Sequence, residues 1–426
     1  DLADCTVSAA ADLRGDDPTY APTALVCSVI PPASFARKED AMANVTQGLE
    51  RVAVAESRIC SIDGEQGELI YQGYDIQDLA TNTTFEEVAY LLWRGDLPTQ
   101  AQLSQLNEQF VSERDVDDAV YALVKALPKS TVTMDALRTL VSLLASYDDE
   151  MADNSPDANM RKSVRLTAKI PTLLAAAHRA QKGLEPIRPE PTGSIASNFL
   201  YMLSGTEPDD FVAKTLDTAL ILHAEHGMNA STFSGRVTVA TLADLYAGVT
   251  SAIGTLKGPL HGGANALVLE MLGEIGDPSK AADYVARVLD GSHTVGTLAP
   301  KRIPGLGHRV YKALDPRATV LRGMSRTLGD RAGDLHWIDL SEAVVEACEA
   351  AGLSQKAVYP NVDFFSASTY QTMGIDTSLF TPVFAMARIT GWTAHIMEQH
   401  AQNRLIRPHA VYVGERGRVT KPISER

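Results

Sequence analysis

Three short segments concentrate side chains suited to proton transfer and anion binding. Gly258-Pro259-Leu260-His261-Gly262-Gly263-Ala264-Asn265 sets an imidazole ahead of two glycines and an apolar-periodic helix. Gly305-Leu306-Gly307-His308-Arg309-Val310-Tyr311-Lys312, followed by Asp315-Pro316-Arg317, sets a second imidazole among three cations. Pro360-Asn361-Val362-Asp363 puts a carboxylate in front of Phe364-Phe365. Such a set suits a small, highly anionic substrate whose carbonyl must accept a proton.

Each candidate has a chemical reading and a plainer one. A helix N-terminus disfavours imidazolium, so a neutral His261 can donate an N–H to a developing enolate oxygen; the plainer reading is a turn histidine that caps the helix. The glycines before His308 let backbone N–H groups approach a ligand closely. Asp315-Pro316 starts a helix and places Arg317 in its first turn, where it could also be a solvated surface charge. Apolar neighbours desolvate Asp363 and strengthen it as a base, or it is a turn or cap residue. Arg388 lies four residues after Phe384 and four before Trp392, on a stripe that is otherwise apolar. A core-facing guanidinium needs an anion, either a substrate carboxylate or a structural Asp or Glu. His223 and His226, expected on the buried face of a helix over 209–226 with Gly227 as its C-cap, could bind metal, touch substrate or be core histidines; Asn229 adds a polar group just beyond.

The elements that must carry these residues are mainly helical. The 3.6-residue period predicts helices near 84–94, 99–113, 133–147, 160–182, 209–226, 239–256, 264–275, 279–290, 316–331, 340–351 and 377–402. Residues 52–78 read as short strands with turns at Asp63-Gly64 and Gln72-Gly73. The fold expected is mostly α with a small β segment near the N-terminus.

A chain of 426 residues can hold two domains. It has no run of eighteen apolar residues, which argues against a transmembrane helix. Cys5, Cys27, Cys60 and Cys348 lack metal-ligand or redox spacing and read as free thiols in a reducing compartment. A formal net charge of -15 argues against nucleic acid as a partner. Of the 38 basic residues 13 are lysine, and an acidic, lysine-poor composition fits adaptation to high salt as well as it fits an ordinary low pI. Residues 1–41 carry seven acids against three bases and four prolines, unlike a secretory or transit peptide; they read as a disordered leader, or as sequence upstream of the start at Met42.

In this order the HGGAN, GHRVYK…DPR and PNVD segments resemble the citrate synthase family, and the resemblance runs from about Leu49 to Glu415. It implies a two-domain helical fold, with a large domain over 42–262 and 375–426 and a small domain over 263–374 that closes over the site. By resemblance His261, His308 and Asp363 take the catalytic positions. His226, Arg317, Arg388 and Arg407 take those that bind oxaloacetate, with His223 and Asn229 beside them, and Arg407 is donated across a homodimer interface. Lys312 and Lys356, with Ile303, Gly305, Leu306 and Gly307, fall where the family contacts coenzyme A. The resemblance implies condensation of acetyl-CoA with oxaloacetate to citrate in the cytoplasm, with no cofactor or metal and no nucleic acid or membrane partner. Because residues 1–41 do not resemble the folded N-terminal β region of the hexameric, NADH-inhibited branch, a dimer without NADH regulation is expected. Alternatives are a 2-methylcitrate synthase that takes propionyl-CoA, with the same signature residues, a metal-dependent hydrolase built on the histidines, and a non-enzymatic helical scaffold.

Overall fold

The computed structural model describes residues 45–49 and 52–426; the leader expected over 1–41 lies outside the described residues. The chain divides into two units. In one, the described residues at 45–49, 52 and 409–426 are exposed and carry only short 3-10 turns at Gln47–Leu49 and Ile423–Glu425. The other, Ala53–Pro408, holds the rest.

This main unit opens with an antiparallel meander, β1 (Cys60–Asp63), β2 (Glu68–Tyr71) and β3 (Tyr74–Asp75), in which Cys60 faces Tyr71 and Ile70 faces Asp75. The turn between β2 and β3 puts Gln72 and Gly73 at φ 49° and 94°, the left-handed pair whose twist suits a two-residue hairpin. Sixteen α-helices follow among the described residues: α1 (Ile76–Asn82), α2 (Phe85–Arg94), α3 (Gln100–Glu113), α4 (Asp118–Ala126), α5 (Thr133–Leu144), α6 (Pro156–Gln181), α7 (Ile195–Ser204), α8 (Asp210–His223), α9 (Ala230–Val239), α10 (Leu245–Leu256), α11 (Ala264–Ile275), α12 (Ala281–Asp290), α13 (Pro316–Ala332), α14 (His336–Ala350), α15 (Val362–Thr372) and α16 (Phe380–Ala401). The mostly α expectation with a small N-terminal sheet therefore holds. Starts follow the local code: capping boxes at Thr84 with Glu87 and at Thr99 with Gln102, and Ser155-Pro156 and Asp315-Pro316 as cap and first residue.

Three differences from the predicted spans have physical causes. The helix expected over 209–226 stops at His223, and Tyr71 Oη donates to the Glu225 carbonyl at 2.7 Å. His226 and the Gly227 turn therefore lie past the helix, and the two imidazoles do not share one helical face. The span 239–256 is broken, because Leu242 adopts φ 67° after α9 and Asp244 caps α10. α15 went unread because it has no polar stripe. It is buried almost all round, and Ser368 and Thr369 return their hydroxyls to the Phe365 carbonyl at 3.1 and 2.7 Å.

α16 runs through the core against α2, α6, α8, α9 and α10. It buries Phe380, Val383, Ile389 and Trp392 among others, each worth about 1.5–3 kcal/mol. Together these offset the several kcal/mol that desolvating a guanidinium at Arg388 costs. Further along the chain α11, α13, α14 and α15 pack on one another, with α12 against α14.

Candidate active site

His261 closes a tight turn after α10, its N–H donating to the Gly258 carbonyl at 2.9 Å. Gly262 is required there, since a Cβ would stand 2.4 Å from the Leu256 carbonyl oxygen. The imidazole meets Ser231, the second residue of α9, with Nε2 2.9 Å from Ser231 Oγ and 3.3 Å from its backbone N. A backbone N–H can only donate, so Nε2 carries the lone pair and Nδ1 the proton. Trp392 Nε1–H on α16 fixes the serine hydroxyl at 3.0 Å, and Ser231 Oγ lies between His261 Nε2 and Asn229 Oδ1, 2.7 Å from the latter, with one proton to share between them. Burial, then the nearby Arg388 charge, push His261 down to about 4.

His308 is held the opposite way round. Its Nδ1 accepts the backbone N–H groups of Val310 and Tyr311 at 3.0 and 3.2 Å, which leaves the proton on Nε2. Burial, with Arg317 adding to it, lowers this imidazole to about 4 as well. The loop before it is stitched to the strand-like segment ahead of α15, with Gly307 N–H to Tyr359 O at 2.8 Å and Asn361 N–H to Gly305 O at 2.9 Å. Gly305, at φ 71°, lies so close to Phe364 that a Cβ would stand 3.0 Å from the Phe364 Cα.

His226 packs edge-on to His308, ring centroids 5.1 Å apart, and its Nε2 lies 3.2 Å from Tyr311 Oη. Burial, then Arg317, hold it well below the usual histidine range. The Arg317 guanidinium lies 5.9 Å from the Tyr311 ring centroid. It is 2 % exposed, and its Nε and Nη2 donate to the two Asp315 oxygens at 3.0 and 2.8 Å. The solvated-charge reading of Arg317 is thus corrected: it is a buried ion pair with Nη1 left over. Asp315 also accepts Val362 N–H at 3.1 Å, joining the starts of α13 and α15. Despite its burial, Asp315 is held below the usual carboxylate range by Arg317.

Arg388 is 1 % exposed, as its place on an apolar stripe predicted. Its Nε donates to the His223 carbonyl at 2.7 Å and its guanidinium lies 4.7 Å from the Phe384 ring centroid. No Asp or Glu pairs with it among the described residues, so its two terminal nitrogens are available to an anion. Asp363 sits in the first turn of α15 under the Asn361 cap. Burial pushes its carboxyl up to about 6, against the pull of Arg317 and Arg388.

Arg317 thus lies within electrostatic reach of His226, His308, Asp363 and Arg388, and Arg388 also acts on His226, Asp363 and His261. His223 is fully buried, with Nδ1 2.7 Å from the Ala219 carbonyl oxygen. Asn229 caps α9, its Oδ1 accepting from Ser231 and Thr232 N–H at 3.1 Å each. Ile303 and Gly305 are buried, Leu306 and Gly307 are partly open, and Lys312 and Lys356 are exposed. Arg407 is exposed beyond the end of α16. Among the described residues no three His, Cys, Asp or Glu side chains are grouped to hold a metal ion. Sequence reasoning missed Ser231, Trp392, Tyr311 and Asp315; of these Asp315 alone had a signal, as the helix cap two residues before Arg317.

A family model described as citrate synthase, C-terminal domain, matches residues 48–409. Citrate synthase of Haloferax volcanii is 47% identical over 386 residues, 89% of this chain and 98% of its own. The 2-methylcitrate synthase of Mycobacterium tuberculosis is 40% identical over 380 residues, 89% of this chain and 93% of its own. Among solved structures, the ternary complex of citrate synthase from Thermoplasma acidophilum with carboxymethyl coenzyme A and oxaloacetate superposes with a TM-score of 0.83 at 32% identity, covering 90% of this chain and 99% of that one. By sequence over most of its length and by fold, this chain belongs to the citrate synthase family of enzymes.

Proposed function

We propose that the chain is a citrate synthase that joins acetyl-CoA to oxaloacetate and hydrolyses the resulting thioester to citrate and CoA. The observation that carries this reading is a buried carboxyl raised to about 6 in the field of two buried guanidiniums, which also act on imidazoles whose protons are fixed on chosen nitrogens. Asp363 removes a proton from the acetyl methyl group. His261 Nδ1–H donates to the thioester oxygen as negative charge gathers there, and neutrality lets it do so without giving up the proton. The enolate carbon attacks the ketone of oxaloacetate while His308 Nε2–H polarises that oxygen and then protonates it. Water cleaves the citryl thioester.

Arg388, Arg317 through its free Nη1, and Arg407 of a second copy hold the two carboxylates, with His226 and Asn229 at the same substrate. Lys312 and Lys356 meet the phosphates of coenzyme A, whose adenine lies along Ile303, Gly305, Leu306 and Gly307. The region 263–374 closes over oxaloacetate and excludes water while the enolate exists. No resident metal or cofactor enters the scheme, and its setting is the cytoplasm.

Release of free thiol from acetyl-CoA and from propionyl-CoA, each with and without oxaloacetate, tests the assignment. Oxaloacetate-dependent release with a higher kcat/KM for acetyl-CoA is expected, and the reverse ratio would make the enzyme a 2-methylcitrate synthase. Asp363→Asn is expected to lose the condensation about 10²–10⁴-fold while still binding oxaloacetate. No release from either thioester by folded protein would overturn the proposal.

A further inference from the structure

Among the described residues several buried polar atoms near the site have no partner, and two of them, Nε2 of His223 and the hydroxyl of Tyr370, lie on neighbouring rings. The Nδ1 of His223 faces the Ala219 carbonyl at 2.7 Å, which can only accept. Nδ1 therefore carries the proton and Nε2 is a bare acceptor. A tyrosine hydroxyl is a donor, so the two unmatched atoms are complementary. Their rings are neighbours, with centroids 6.4 Å apart and planes inclined by 36°, and both residues are almost wholly buried.

The pair bridges the elements that the chemistry has to align. His223 ends α8, and its carbonyl holds Arg388 Nε at 2.7 Å. Tyr370 lies seven residues after Asp363 on α15, two turns along the same helix face. α16 supplies an apolar rail for both rings: Phe384 packs edge-on to His223 at 4.6 Å and Phe380 edge-on to Tyr370 at 5.4 Å. A small shift of α15 along that rail can bring the hydroxyl to Nε2, and Asp363 moves with it as part of the same helix.

We propose that Tyr370 O–H donates to His223 Nε2 in the reactive arrangement, and that this hydrogen bond positions Asp363 relative to the carboxylates held by Arg388. The inference rests on the reading of Asp363 as the base. It makes Tyr370 a positioning residue and gives His223, which the family resemblance set among the oxaloacetate contacts, that same role in place of touching substrate. Both atoms are buried without a partner, which is costly, and the hydrogen bond removes that cost.

Tyr370→Phe, His223→Leu, the double variant and His223→Gln test the idea, with folding followed by thermal unfolding. Tyr370→Phe and His223→Leu are expected to lower kcat about tenfold, as misplacement of a reacting group does. The KM for oxaloacetate should stay within about twofold, and the double variant should be no slower than either single one. His223→Gln should keep most of the activity, because its amide oxygen can accept in place of Nε2. The acid limb of the pH–rate profile should not move. Wild-type kcat in folded Tyr370→Phe, additive losses in the double variant, or a limb that shifts because the hydroxyl serves Asp363 directly would each overturn the proposal. Absence of oxaloacetate-dependent thiol release from the unmodified protein would instead sink the reading of Asp363 on which it rests.

Discussion

Asp363 must be a carboxylate to accept a proton, and its burial decides at what pH it is one. With its carboxyl pushed up to about 6 and His261 and His308 pushed down to about 4, acid inactivates the base long before it charges either imidazole. The kcat/KM for acetyl-CoA should therefore fall about tenfold per pH unit below roughly pH 6, with no further limb until roughly pH 4. A rate profile that stays flat down to roughly pH 5 would remove Asp363 from the role. The burial of that residue and the turns that hold His261 and His308 were legible in the sequence, because glycines, prolines and aromatic neighbours mark the backbone around each. Ser231 and Trp392 were not legible. They are ordinary residue types, and their importance comes from packing against partners 30 and 161 positions away along the chain. The tautomers of both histidines were equally hidden, since backbone N–H groups that no side-chain pattern announces set them.

At the scale of elements, most of the longer helices could be read from their apolar period, whereas the short capped helices α1, α4, α7 and α9 went unread, as did stretches buried all round or broken by a left-handed residue. α15 and the α9–α10 boundary are the examples of the latter, and α15 carries Asp363. A second buried feature without sequence signal ties the helices behind the site together. Glu86 in α2 accepts the Ile195 N–H at the start of α7 at 2.8 Å, while Asp217 in α8 accepts the Phe85 N–H at 2.9 Å. Burial, and then the Asp217 charge, push Glu86 up to about 7. Its folded value thus lies above the unfolded carboxylate value of about 4.3, so the native state holds the proton more tightly. The stability this supplies is complete below about pH 4.3 and is lost as pH rises through about 7. Glu86→Gln keeps the oxygen that accepts from Ile195 but cannot ionise. Its melting temperature should lie above that of the wild type at pH 8, with the gap closing as the pH falls towards 5. Parallel curves would show that charging Glu86 costs the fold nothing.

For the whole molecule the difficulty is charge, since a chain at -15 has to attract two anions. In the proposed site the buried guanidiniums of Arg317 and Arg388 would answer it locally, but Arg317 is half spent on Asp315, which would leave a dicarboxylate short of donors within one subunit. Arg407 stands exposed beyond α16, and the chain after it displays Val411, Tyr412, Val413, Val419 and Ile423 to solvent. Such an arm gains most from a second copy that covers it, and a symmetric pair that trades arms would deliver Arg407 reciprocally to both sites. Complementation decides this. Arg407→Ala and Asp363→Asn subunits should each form inactive homodimers. Co-expressed, half of the dimers are mixed, and in each mixed dimer the subunit with intact Asp363 receives an intact Arg407 from its neighbour. About one quarter of wild-type activity should return. If Arg407 served its own subunit, every site in the mixed dimer would lack one residue or the other, and no activity would reappear.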